Sequence, residues 1–145
     1  MKGTPVTFKG IFFNCRVLVY KKKILLIRPK IALADDGNYI ETRYFTAWTK
    51  GYEMFDFLIP DFISKRNGQT KCKFDVGIIK FEDMTYAPEI CEELWIPYSP
   101  SIDFAMAGCE IIGKSSVSHF QVGKQERRYE LIMESSKKNG GIFFE

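Results

Sequence analysis

Two β-type runs separated by three lysines constrain this chain most. Residues 11–20 (IFFNCRVLVY) place Phe13, Cys15, Val17 and Val19 on one alternating face, and residues 24–27 form a second apolar run. A period of two marks a half-buried strand, because successive side chains leave opposite faces. Runs joined only by Lys21-Lys22-Lys23 must fold back on each other, so an antiparallel hairpin is expected. The lysines are read as its solvated tip. A net charge of +3, from 21 basic and 18 acidic residues, gives no strong field, and no nucleic-acid partner is expected.

Before this hairpin, residues 6–8 form a short β run. After it, residues 31–51 (IALADDGNYIETRYFTAWTKG) lose all periodicity. A loop this long inside a compact domain is read as a lid or binding segment, or as a packing face. Residues 55–59 are expected as a short strand and 65–71 (KRNGQTK) as a polar turn. Two further β runs, 74–81 and 84–90, meet at Glu82-Asp83. Ser99 before Pro100 reads as an N-cap with proline at N1, opening a short helix whose apolar face is Ile102, Ala105 and Met106. Residues 109–113 form a buried-type strand. Ser118 and Gln121 have the spacing of a capping box at the start of the clearest helix, with Val122, Tyr129, Ile132 and Met133 at helical spacing. Lys137-Lys138-Asn139-Gly140 reads as its stop, before a last β run at 141–144. The order is a mixed α/β layer architecture in one domain spanning residues 1–145. Both ends read as cuts through a larger sheet.

The chain is 46% hydrophobic and 15% aromatic, which supports a core and excludes a disordered chain. No apolar run approaches the roughly 18 residues that span a bilayer. No secretory signal is visible, so a cytoplasmic location is expected. The four cysteines, at 15, 72, 91 and 109, make no CxxC, so no metal site is expected and the thiols are read as free.

Cys91 stands where a β run meets a loop, followed by Glu92-Glu93-Leu94-Trp95. Such an elbow exposes a side chain and leaves main-chain N–H groups to face a developing oxyanion. A thiolate nucleophile needs a nearby cation or base. His119 is the only histidine, so a Cys-His pair stays open. Lys30 also ends a β run, and strands of one sheet bring such ends to a common edge. Plainer readings stand beside these. A lone cysteine is most often a small core residue, and Cys15, Cys72 and Cys109 read so. Lys30 after Arg-Pro reads as solvated, Glu92-Glu93 as an acidic turn, Trp95 as a pocket wall, and Ser118 as a simple cap.

Four segments together resemble a known family: residues 23–30 (KILLIRPK), 37–41 (GNYIE), 89–95 (EICEELW) and 137–142 (KKNGGI). They are similar, in order, to the glutaminase domain of the eukaryotic-type glutamine-dependent NAD synthetases, within the nitrilase superfamily of carbon–nitrogen hydrolases. The resemblance implies an α-β-β-α sandwich and a Glu-Lys-Cys triad. By motif, Cys91 matches the nucleophile that forms a glutamyl thioester and releases ammonia. Lys30 matches the lysine that stabilises the oxyanion, and Glu41 a supporting glutamate near it. Tyr39 resembles a residue lining the glutamine pocket. The N–H of Glu92 would complete the oxyanion hole, with its carboxylate facing the substrate amine and Trp95 in the pocket. Ser118, with Gly123-Lys124 and Arg128, resembles a run in which Ser118 and Lys124 hold the glutamine carboxylate.

The resemblance also implies what these residues do not match. The general-base glutamate, the first strands and the first helix of the sandwich lie upstream of the segment matching Gly3. ATP, magnesium and deamido-NAD belong to a synthetase domain that has no counterpart here, so no cofactor is expected in this chain. The family implies a homo-oligomer. Lys114 stands where the family has Asn, and Pro88 where it has a small residue. The function implied is glutamine hydrolysis supplying ammonia for NAD synthesis. The alternatives are a truncated, non-catalytic nitrilase-fold chain, or another nitrilase-type hydrolase acting on a nitrile or ω-amide.

Overall fold

The computed structural model describes residues 2–117, 119 and 121–145. They form two compact units, Met1–Gly77 and Ile78–Glu145.

In the first unit, β1 (Lys2–Phe8), β2 (Ile11–Tyr20) and β3 (Lys23–Pro29) form two successive antiparallel hairpins. Each tip is two residues, both with positive φ: Lys9 and Gly10 at 49° and 80°, Lys21 and Lys22 at 46° and 65°. That geometry matches the twist of the flanking strands. The second tip is therefore shorter than expected, since Lys23 already pairs with Tyr20. β1 is longer than the short run expected, and it is an outer strand, where Pro5 is tolerated. The alternation in β2 breaks at Leu18/Val19, where the register shifts. Phe13, Cys15 and Leu18 are buried, while Val19 is exposed.

β4 (Phe55–Leu58), α1 (Asp61–Asn67) and β5 (Lys71–Phe74) complete this unit, with strand order β1-β2-β3-β5-β4. β3 lies in the middle, antiparallel to β2 and parallel to β5. Leu26, Ile27, Arg28, Pro29 and Lys30 are consequently all buried, as in a strand covered on both faces. The polar turn expected at 65–71 is instead the end of α1 and the start of β5. α1 buries no residue, so it carries no apolar stripe to read. The β run expected over 74–81 is also broken, and only Ile79–Lys80 of its second half is strand. The aperiodic 31–51 segment is tied down: Thr46 N–H donates to the Phe12 carbonyl and Trp48 N–H to that of Lys30. Its Trp48 joins an aromatic core in which Phe8 stacks on Phe74 at 4.4 Å and Phe13 meets Trp48 edge-on at 5.5 Å.

In the second unit the order is β6-β7-β8-β9. β6 (Ile79–Lys80) is antiparallel to β7 (Thr85–Ile90), which runs parallel to β8 (Ile111–Ser115), itself parallel to β9 (Ile142–Phe144). Parallel neighbours need crossovers, which contain α2 (Pro100–Met106) and α3 (Lys124–Asn139). Ser99 caps α2 as expected, accepting the Ser101 N–H. The apolar face differs: Pro100, Ser101 and Phe104 are buried, while Ile102 and Met106 are exposed. Helix α3 begins at Lys124, and Ser118 lies outside the described residues. Val122 precedes the helix, and Val122, Tyr129 and Met133 are exposed, so they form no core stripe. The stop is as read: Gly140 adopts φ 71° and its N–H donates to the Ser136 carbonyl. Among the described residues, no helix is long and apolar enough to cross a membrane.

Candidate active site

In the first unit the end of β3 delivers Lys30 into a buried position, 1% exposed at its side chain. A buried ammonium persists only with a counter-charge and hydrogen bonds. Glu41 supplies both. It opens a 3-10 turn (Glu41–Arg43), and its Oε2 accepts from Lys30 Nζ at 2.6 Å and from the Ala34 N–H at 2.5 Å. The other oxygen, Oε1, accepts from Asn14 Nδ2 at 2.7 Å. Tyr39, two residues before Glu41, is half-buried, and its N–H donates to the Asp36 carbonyl.

In the second unit β7 ends at Ile90 and the chain turns into a 3-10 segment, Cys91–Leu94. Cys91 has φ 45°, a left-handed conformation that a residue with a Cβ rarely adopts. The corner is held by Glu93, whose buried carboxylate accepts the Ile90 N–H at 2.7 Å. Glu93 is therefore no part of a solvated acidic turn. One strand position earlier, Glu89 is fully buried and accepts from Ser99 Oγ at 2.7 Å. That contact uses the only Ser99 hydroxyl proton, so Ser101 Oγ, at 2.8 Å, is the donor to Ser99. Pro88 sits beyond Tyr86, where the β6 ladder ends, so that flank of β7 has no ladder bond to lose.

Glu92 is half-buried at the same turn, its carbonyl accepting from the Trp95 N–H at 2.9 Å. Lys124 Nζ lies 5.5 Å from the centre of the Trp95 ring, a cation–π contact that brings two of the expected pocket residues together. Lys114 is fully buried and paired with Glu145 at 2.9 Å, which Arg128 Nε approaches at 3.4 Å. Burial pushes the Glu145 carboxyl up, but the Ser116 hydroxyl and Lys114 ammonium outweigh it and hold it below its ordinary range. An open cavity of about 750 Å³ lies between the start of α3 and the end of β9, and Gly123 and Arg128 of the expected carboxylate-binding run line it.

The four thiols differ. Burial pushes Cys15 up to about 12, Arg28 opposing in part, and Cys72 up to about 11, with Asp56 adding to the effect. Burial also raises Cys109. Cys91 alone of the four is not buried. Among the described residues no cluster of His, Cys, Asp or Glu is built to hold a metal ion.

Lys30 and Cys91 end strands of different sheets, so the expectation of a common edge in one sheet is not met. The reason is topological: β3 is already paired with β2 on one side and β5 on the other, so neither side is left for β7. Two polar residues beside these candidates went unread: Asn14, whose partner Glu41 is 27 positions away, and Glu93, whose carboxylate turns back to the Ile90 N–H three positions earlier.

This chain has the fold of the carbon–nitrogen hydrolases. A solved hydrolase of that class from Helicobacter pylori G27 superposes with a TM-score of 0.66 at 18% identity, covering 97% of this chain and 42% of that one. Within that fold the chain is a relative of the glutamine-dependent NAD(+) synthetases. It is 41% identical to the one from Homo sapiens and 43% identical to that from Saccharomyces cerevisiae, each over 141 residues. A solved glutamine-dependent NAD(+) synthetase from Cytophaga hutchinsonii superposes with a TM-score of 0.79 at 29% identity, covering 98% of this chain and 21% of that one. The chain spans about 20% of the length of the curated relatives it matches, while 97% of its own length is aligned. No family model matches it.

Proposed function

We propose that residues 1–145 form the nucleophile-bearing part of a single glutaminase domain, which supplies ammonia for the amidation of deamido-NAD. Cys91 attacks the side-chain amide carbon of glutamine. The carbonyl oxygen becomes an oxyanion, which the Lys30 ammonium and the Glu92 N–H stabilise. Collapse expels ammonia and leaves a thioester on Cys91, which water hydrolyses to glutamate. Glu41 holds Lys30. Tyr39, Glu92, Trp95, Ser118 and Lys124 recognise the amino-acid end of the substrate, with cations toward its carboxylate and an acid toward its amine.

The observation that carries this reading is the left-handed backbone at Cys91, directly after a buried strand, in a chain whose other three thiols are buried. Backbone strain of that kind is concentrated at functional sites. The test uses a glutamine-like diazo-ketone, which traps a thiol that attacks at the amide position. Peptide mass mapping is expected to find the adduct on Cys91. Equal or preferential labelling of Cys15, Cys72 or Cys109 overturns the assignment.

A further inference from the structure

Asn14 touches both members of the Lys30–Glu41 pair. It lies on β2, and its carbonyl accepts the Lys30 N–H at 2.8 Å, fixing the main chain from which the lysine departs. Its side-chain Nδ2 donates to Glu41 Oε1 at 2.7 Å. The Lys30 ammonium and the Ala34 N–H are on the other oxygen, Oε2. The terminal torsion of a glutamate is soft, so a carboxylate held by one oxygen alone swings. Holding Oε1 stops that swing. The chemistry of the donor also matters. A cation at this place would compete with Lys30 for the carboxylate, and an acid would repel it. A neutral amide holds the oxygen and leaves the charge to Lys30.

We infer that Asn14 is the positioning residue of this pair: its amide orients the Glu41 carboxylate and its main chain registers Lys30, so the ammonium is presented in one geometry. The inference rests on the reading of Lys30 as the oxyanion partner. The test uses the 145-residue chain with ¹⁵N-lysine. A buried, hydrogen-bonded ammonium exchanges its protons slowly and gives a resolved correlation, assigned to Lys30 by its loss in Lys30→Met.

Asn14→Leu keeps the size and removes the donor. It is expected to abolish or shift the Lys30 signal while the main-chain amide spectrum stays folded. Labelling of Cys91 by the diazo-ketone is expected to slow on the order of 10²-fold, as for a misplaced catalytic group. Asn14→Asp, which is isosteric, decides the matter if the leucine variant does not fold. Its carboxyl donates only when protonated, and the Glu41 carboxylate beside it favours that form, so the signal is expected to be absent at pH 7 and to return, relative to wild type at the same pH, on acidification to a point above the ordinary aspartate range. A purely structural asparagine gives no such acid rescue. An unchanged Lys30 signal in folded Asn14→Leu, or in Asn14→Asp at pH 7, overturns the inference. Loss of the signal with Cys91 labelling unchanged supports the positioning role and instead overturns the assignment of Lys30 to Cys91.

Discussion

At the scale of single residues, the left-handed conformation of Cys91 at φ 45° has a thermodynamic consequence. A Cβ in that region costs about 1–2 kcal/mol, and glycine escapes the cost. Cys91→Gly is therefore expected to be about 1 kcal/mol more stable than Cys91→Ala by denaturant melting, although both lack the thiol. Equal stabilities would mean that the corner is unstrained. The thiols give a second prediction. A group pushed up to about 11 or about 12, as Cys72 and Cys15 are, is protonated through the neutral range and ionises only in strong alkali. Limiting iodoacetamide at pH 8 is expected to modify Cys91 first, with the buried three reacting after unfolding, as read by peptide mass. Cys91, Lys30 and Glu41 were legible as candidates because each sits in a recognisable local string. Asn14 was not, since its partner Glu41 is 27 positions away and an asparagine within a strand carries no signal of its own. Glu93 read as half of a solvated acidic pair because charge alone does not show that one carboxylate turns inward to an N–H.

At the scale of elements, legibility followed burial. The β2–β3 hairpin, the Ser99 cap and the Gly140 stop rest on local chemistry and were read correctly. Helix α1 buries nothing, and β5 is only Lys71–Phe74, its two lysines outward and Cys72 and Phe74 inward, too short a run to separate from a turn. What ties β5 to the outer strand β4 is partly electrostatic. Lys71 and Lys73 both reach Asp56 at 2.8 Å, and their hydrogen bonds hold its carboxyl down at about 2. The folded value is below the ordinary one, so this contribution is present above about pH 4 and is lost as pH falls through the folded value. A ¹³C carboxyl titration is expected to place the Asp56 midpoint near 2. A midpoint near the ordinary value, or one unmoved in Lys71→Ala, would show that the pairing is not populated in solution. The entry to β9 depends on size. A Cβ added to Gly141 would sit 2.5 Å from the Glu110 carbonyl oxygen, a main-chain atom that cannot swing aside. Gly141→Ala is expected to cost about 1–3 kcal/mol by overpacking. A neutral result in a thermal melt would mean that the β8–β9 pairing is looser than the structure has it.

At the scale of the whole molecule, the 145-residue polypeptide by itself is expected to hydrolyse glutamine poorly and to self-associate. On the proposed reading, the family's general-base glutamate has no counterpart among these 145 residues. Without that base, proton transfer from Cys91 and activation of the attacking water both lack an acceptor. General-base catalysis contributes roughly 10²- to 10⁴-fold, and turnover is expected to fall by at least that factor. The outer strands are β1 and β4 in one sheet and β6 and β9 in the other. An outer strand offers unpaired N–H and C=O groups to any neighbouring chain. Apolar side chains stand exposed on or beside these edges: Leu58 at 78% on β4, Ile142 at 61% and Phe144 at 46% on β9, and Phe12 at 56% on β2. Wet apolar groups beside open edges drive association. Ammonia release from glutamine and the sedimentation profile of the purified chain test both halves together. Family-like turnover from a monomer would overturn the expectation, because it would require the base to lie within these 145 residues.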